Sequence, residues 1–440
     1  MHVYQLLTFS PLEKFPRELL HDIVSALPRQ DLLRVRLVSR ILATAAASCL
    51  YQTIPIWLGL KSLERFKAIS EHPQLSQYVR EIVFSPLRFI DYGTANQYLD
   101  HTRNLTNHRS ADFQALTSAR YIAAYESYIK AQRHLSSQGI GSKTLLGGMR
   151  RLPQLSSITV DFLNFNIGCS ELMSAFGTLK AGHSLTYDCE HLLPLVVGAM
   201  IASNATIRTF KLGEHEEFRQ DPSPGVGTRC SLLESSGFAQ SGEISYPRTI
   251  SSEALFNTFY LADEPNGRKA LGKLRILEIS SIETNVDHEG ELGETMTAIH
   301  QIIALSPNLE KVTLGEISDK VSGEMPSLIG VFGSSTLRRL RKLDMYNYES
   351  AIDDMVHFFR NHASTLVEIR LGWMTLLDGD WSSLLNRLRQ VKFLRMKHFV
   401  LNDCDDNEVD LEVQDYVLRK TDFDPIVEAR TLRHLSQCLM

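Results

Sequence analysis

An apolar triad, written as apolar-x-x-apolar-x-apolar, returns eight times along this 440-residue chain. It stands at Val79/Ile82/Phe84, Leu155/Ile158/Val160, Ile207/Phe210/Leu212, Leu274/Leu277/Ile279, Leu309/Val312/Leu314, Leu340/Leu343/Met345, Leu366/Ile369/Leu371 and Val391/Leu394/Met396. The last two members of each triad alternate, as they would on a short strand with one buried face. Helical patterns lie between the late triads: Met296, Ile299, Ile302 and Ile303 before Ser306-Pro307-Asn308, and Ile352, Met355, Val356 and Phe359 before His362. First positions step from 274 to 309, 340, 366 and 391, with intervals of 35, 31, 26 and 25. A strand and a returning helix cannot hide their apolar faces alone, so successive units are expected to stack on one another. The competing reading is an ordinary α/β domain in which these are unrelated strands.

The N-terminal segment follows other rules. Pro16 suits a first helical position, and Leu19, Leu20, Ile23, Val24 and Leu27 recur at helical spacing until Pro28 ends the run. Asp31 is placed to cap a second short helix carrying Leu32, Leu33, Val35 and Val38; Ser39 is placed to cap a third through Ile41, Leu42 and Ala45-Ala46-Ala47. Some 40 residues cannot hide this many apolar side chains, so the surplus calls for a partner surface, the competing reading being that these helices merely cap whatever follows. The segment resembles an F-box over roughly residues 13 to 53, with Phe15-Pro16 where the family usually has Leu-Pro, and Ile41-Leu42 where an aromatic is frequent. The triads resemble leucine-rich repeats, although few end on the Asn that those repeats favour. The whole is similar to an F-box protein of fungal type with a divergent leucine-rich-repeat-like C-terminal domain.

That resemblance implies an α+β chain: a three-helix F-box at 12–53, then an irregular leucine-rich-repeat-like α/β solenoid over 54–440. Insertions are expected at about 93–145, with a helical stripe of Ile122, Tyr125, Tyr128 and Ile129 between flexible ends, and at 214–250, rich in Gly, Ser and Pro. The implied partners are a Skp adaptor and, through it, a cullin scaffold. The apolar surplus assigns adaptor binding to Phe15, Pro16, Leu19, Leu20, Ile23, Leu27, Leu32, Leu33, Val35 and Val38. The implied function is the substrate-recognition subunit of a Skp/cullin/F-box ubiquitin ligase, with a non-degradative F-box scaffold as the alternative and an enzyme bearing an F-box-like cap as a third class.

In a repeat of this kind, residues flanking the last two apolar positions of a triad line the concave surface. These are Lys311 and Thr313, then Lys342, Asp344 and Tyr346, then Glu368 and Arg370, then Phe393, Arg395 and Lys397. The row leans basic and contains aromatics, which suits an acidic or phosphorylated segment of an unknown protein substrate. The candidate docking residues are Lys342, Asp344, Tyr346, Arg370, Phe393, Arg395 and Lys397.

Chemistry of other kinds finds little support. Gly141-Ser142-Lys143-Thr144 echoes a phosphate-binding loop, but Ser136 stands where its first Gly belongs. Asp403, Asp405 and Asn407 have calcium-loop spacing, yet Glu408 replaces the turn Gly and Gln414 the bidentate Glu. Cys189-Glu190-His191 has no second ligand pair. No catalytic residue, metal or cofactor is therefore expected. A net charge of -5 leaves no basic footprint for nucleic acid. The longest apolar run, Leu192 to Ala202 with one Pro, falls short of the ~20 residues that cross a bilayer, and no signal-peptide core opens the chain. Six cysteines, at 49, 169, 189, 230, 404 and 438, lack paired spacing, as expected of reduced thiols in a cytoplasmic or nuclear protein that is not secreted.

Overall fold

The computed structural model describes residues 15–105, 119–162, 185–187, 189–213, 255, 258–259, 265–284, 291–319, 325–402, 404, 411–422 and 424–427. It opens on α1 (Arg17–Ser25), α2 (Arg29–Val35) and α3 (Arg40–Leu50). Pro16 and Pro28 hold the extended positions just before α1 and α2, with ψ 147° and 149°. Ser39 Oγ accepts the Leu42 N–H at 3.3 Å and opens α3 as expected. Asp31 does not cap α2, because Pro28 occupies the cap; its carboxylate pairs with Arg34 at 3.1 Å from within the first turn. Leu20, Val24, Leu32, Leu42, Ala46 and Leu50 make the shared core of the three helices.

Two residues after α3 the chain enters a ten-stranded sheet. Its strands lie side by side in chain order: β1 (Thr53–Trp57), β2 (Glu81–Ser85), β4 (Ser157–Val160), β6 (Thr209–Leu212), β7 (Ile276–Thr284), β8 (Lys311–Asp319), β9 (Lys342–Tyr346), β11 (Glu368–Gly372), β13 (His398–Asn402) and β14 (Leu411–Glu412). Every pairing from β1 to β13 is parallel, and β14 closes the far edge antiparallel to β13. Two side pairs stand apart, β3 (Leu87–Phe89) with β5 (Leu185–Tyr187), and β10 (Glu349–Ser350) with β12 (Thr375–Leu376). Parallel neighbours cannot be joined by tight turns, so helices lie between most of the strands. They are α4 (Leu60–Glu71), α5 (Ala95–Leu105), α6 (Ala119–Ser137), α7 (Ile140–Arg150), α8 (Cys189–Ser203), α9 (Pro265–Leu271), α10 (Glu291–Leu305), α11 (Leu328–Phe332), α12 (Ile352–His362) and α13 (Trp381–Leu388), with α14 (Gln414–Val417) after the last strand.

A repeated backbone contact sets the pitch. The carbonyl oxygen of Gln52, just before β1, accepts the N–H groups of Arg80 and Glu81 at 2.9 and 3.0 Å. Arg80 O accepts in turn from Ser156 and Ser157, Ser156 O from Arg208 and Thr209, and Arg208 O from Arg275 and Ile276. The series continues through Arg275, Glu310 and Arg341 to Val367, whose oxygen takes the N–H groups of Lys397 and His398. Successive acceptors are separated by as few as 26 residues (341 to 367) and as many as 76 (80 to 156). The constant of the fold is therefore the level at which each strand starts, whatever the length of chain between strands.

Two register rows carry the core. Ile54, Ile82, Ile158, Phe210, Leu277, Val312, Leu343, Ile369 and Phe399 form one, and Ile56, Phe84, Val160, Leu212, Ile279, Leu314, Met345, Leu371 and Leu401 the other. None is more than 2% exposed, and each such burial contributes roughly 1.5–3 kcal/mol. The helices supply the opposing layer of the same cluster. Gly148 of α7 lies under the Phe66 ring of α4, where a Cβ would fall 2.2 Å from a ring carbon, so only glycine permits this approach.

Seven of the eight triads land on strands; the eighth is corrected. Leu394 is 73% exposed and residues 391–397 form no strand, while β13 begins at His398. The triad that fits is Met396/Phe399/Leu401, all buried. A strand that sequence reading missed, β1, uses Tyr51/Ile54/Ile56 and tolerates Pro55 because it is the sheet's edge. Arg65 donates to the Pro55 carbonyl at 3.2 Å. The 93–145 insertion holds α5 and α6 and ends inside α7, so the flexible end expected there is instead a packed helix. Its aromatic stripe joins Trp57, Leu87, Phe89, Tyr98 and Tyr121 in a second cluster, with the Tyr98 and Tyr125 rings stacked at 4.4 Å. The 214–250 insertion and the acidic turn at 403 and 405–407 lie outside the described residues.

Candidate protein-docking surfaces

The N-terminal helices divide their apolar residues into two sets. Of the ten residues assigned to adaptor binding, Leu20 and Leu32 are buried in the helical core, and Leu27 and Val35 pack partly against it. Phe15, Pro16, Leu19, Ile23, Leu33 and Val38 are exposed. Leu20 and Leu32 are thus corrected from contact residues to core residues, because three helices this short need them inside. Two further exposed residues were not among the ten assigned: Leu37, 79% exposed, and Ile41. Leu19 and Ile23 stand four apart on α1 and share a stripe, while Leu33 lies on α2 and Leu37 in the turn that follows it. Thirteen large apolar side chains are exposed among the described residues, and seven of them lie between 15 and 41. Concentrated exposure of this kind marks an interaction surface.

The second surface is the face of the sheet turned away from the helices. Lys211 of β6 and Lys311 of β8 flank Glu278 of β7 at 2.7 and 2.6 Å. Burial would raise the Glu278 carboxyl, but the two ammonium groups hold it below its ordinary value. Lys342 hydrogen-bonds Glu368 at 2.7 Å and lowers that carboxyl likewise. Asp344 behaves in the opposite way: burial raises it, and the charges of Lys311 and Arg370 with the Thr313 hydroxyl at 3.3 Å offset this only in part. Arg370 is exposed, and Tyr346 meets Trp373 edge-on at 6.2 Å. Phe393, Arg395 and Lys397 do not share this row. They precede β13, with Phe393 packed against Phe359 at 6.5 Å, and the register partners of Glu368 and Arg370 are His398 and Val400. The basic lean inferred from sequence is therefore reduced, since two of its cations sit elsewhere and Lys311 and Lys342 are engaged by carboxylates.

These opposed shifts give a pH test. Glu278 titrates lower when folded than its ordinary 4.5, so its ion pairs contribute stability above that value and lose it as pH falls through the folded pKa. Asp344 titrates higher when folded, so its ionised form costs stability at neutral pH, and acidification returns it. Glu278→Gln should lower the urea midpoint at pH 7 and Asp344→Asn should raise it, both converging on the wild type in acid. Shifts of equal sign at pH 7 would contradict the assignment.

Other candidates resolve into structure. Gly141, Ser142, Lys143 and Thr144 lie inside α7, where no phosphate loop can form. An open cleft of about 540 Å³ beside α6 is lined by Arg88, Asp91, Gln132, Arg133 and Ser136. Its cations are engaged by the chain itself: Arg133 donates twice to Asp91, at 2.6 and 2.5 Å, and Arg88 to Ser136 at 2.8 Å. Among the described residues, no group of three or more His, Cys, Asp or Glu could hold a metal, and no helix is long and apolar enough to cross a membrane. No curated protein matches the chain. Residues 12–55, the stretch that carries α1 to α3 and their exposed apolar set, match the family model described as F-box-like, which supports an F-box protein with a role in adaptor binding for a ubiquitin ligase of the Skp, cullin and F-box type.

Proposed function

We propose that this chain is the substrate receptor of such a ligase, held to a Skp adaptor and thereby to a cullin by residues 12–53, and holding its target on the remainder of the chain. The carrying observation is the crowding of exposed apolar side chains between Phe15 and Ile41 within the F-box-like stretch. On this reading residues 54–440 are a leucine-rich-repeat-like recognition region, supported by strands in chain order and by the recurring triad. The receptor makes and breaks no bond and uses no metal or cofactor. It raises the effective concentration of a target lysine near a ubiquitin-loaded enzyme, which needs only two surfaces in fixed relation. It works in the cytoplasm or nucleus, where its partners are the adaptor, the cullin and a protein target. Tandem purification of the full chain from proteasome-inhibited cells should retain adaptor, cullin and a ubiquitin-modified third protein. Absence of the adaptor from a folded, abundant sample would overturn the proposal.

A further inference from the structure

Trp373 holds a conformation that its residue type avoids. The chain leaves β9 and β11 at equivalent positions, 347 and 373, since Tyr346 and Gly372 are register partners. Both positions are left-handed, with φ 63° at Asn347 and 48° at Trp373. Asn tolerates that region; Trp, with a Cβ and a bulky ring, is strained there. Burial does not repay the strain, because Trp373 is 53% exposed. Its ring stands edge-on to Tyr346, and the Tyr346 ring lies over Gly372, where a Cβ would come within 2.3 Å of it. Gly372 thus clears space for one aromatic, and a strained backbone displays the other. Arg370, one side chain back on the same face of β11, is exposed; its charge acts on the Asp344 and Glu368 carboxyls, but it closes no ion pair within 4 Å among the described residues. Its register neighbour Asp344 accepts instead from Thr313.

We propose that Arg370, Tyr346 and Trp373 form a docking site for an extended segment of the target protein that carries an acidic side chain two residues from a large apolar one. The acid pairs with the Arg370 guanidinium, and the apolar side chain lies on the two rings. Two residues along β11 separate Arg370 from Gly372, and an extended ligand with the same rise of ~3.3 Å per residue places its side chains to match. Aromatic and arginine side chains grouped on an open face are the usual carriers of binding energy. The inference rests on the reading of the chain as a receptor and names what that receptor holds.

The test uses the full chain in complex with a Skp adaptor and three pools of nonapeptides, random except at two positions two residues apart. One pool fixes Glu and Leu, the second Lys and Leu, the third Glu and Ser. The Glu/Leu pool should be retained at least tenfold above the other two. Arg370→Glu should shift the preference to the Lys/Leu pool. Trp373→Asn, which relieves the left-handed strain, should cut retention of the Glu/Leu pool at least fivefold while the Tm does not fall. Equal retention of the three pools overturns the site, as does a Trp373→Asn variant that melts lower and retains peptide as before, which would make the ring structural. Adaptor binding is scored in the same samples: adaptor bound without pool preference sinks the site alone, whereas no adaptor bound sinks the receptor reading.

Discussion

Changing Leu19 and Ile23 together to Asp is expected to weaken adaptor binding by about 3 kcal/mol, on the order of a hundredfold, and to leave the melting temperature within about 2 °C of wild type. Both side chains are nearly half exposed, at 48% and 45%, so the helical core loses nothing when they change. They stand one turn apart on α1, so two carboxylates would sit together in an apolar interface, where an unpaired charge is costly. The control is the residue that follows Leu19 in sequence. Leu20 is 1% exposed, and Leu20→Ala should cost about 2–5 kcal/mol of stability in the helical unit. Titration calorimetry against a purified adaptor, with melting curves for each variant, separates the two effects. Unchanged affinity in the Leu19/Ile23 variant with its fold intact would end the assignment of this surface. Phe15 and Pro16 changed together to Ala should weaken binding by a smaller amount, about 2 kcal/mol.

The largest stability effect is expected at Phe359, where replacement by Ala should cost about 3–5 kcal/mol. Its ring is fully buried and lies 5.5 Å from Phe358, 5.8 Å from Phe399 and 6.5 Å from Phe393. It joins α12 to β13 and to the segment before it, so the cavity left behind has walls on three elements. Because the strands are stacked in chain order, the loss should be felt first in β11 and β13, as faster amide exchange there than in β2 and β4. A fall of less than 1 kcal/mol in urea titration, or uniform exchange along the sheet, would contradict this account.

Much of the sheet was legible because strand burial has a period of two and the triads display it. What failed at its two ends has a local cause. Between 391 and 401 two overlapping triads satisfy the pattern, Val391/Leu394/Met396 and Met396/Phe399/Leu401. The choice is made at a distance, by Phe393 packing on Phe359 and by the Val367 carbonyl receiving Lys397 and His398. At the other end Pro55 disguised β1, since only an edge strand excuses a proline. The helical unit shows a different limit. Spacing found its helices, but with apolar residues on more than one side of each, it could not separate Leu20, which packs inward, from Leu19, which does not. Trp373 carried no signal at all, because a left-handed backbone is announced by Gly or Asn and here the residue is neither.

The passage from α3 into β1 bears on reach. Tyr51 packs against both the helical core and the sheet core, and the Gln52 oxygen is fixed by Arg80 and Glu81, so no slack joins the two parts. From β1 to β11 the sheet makes seven lateral steps, a path of about 34 Å at ~4.8 Å each. Lengthening a crossover leaves that span as it was; adding or deleting a strand changes it by one step. The chain is in this respect a gauge graduated in strands, and on the proposed reading as a receptor the gap between a target and an adaptor held at the N-terminal helices would be set by how many strands lie between them.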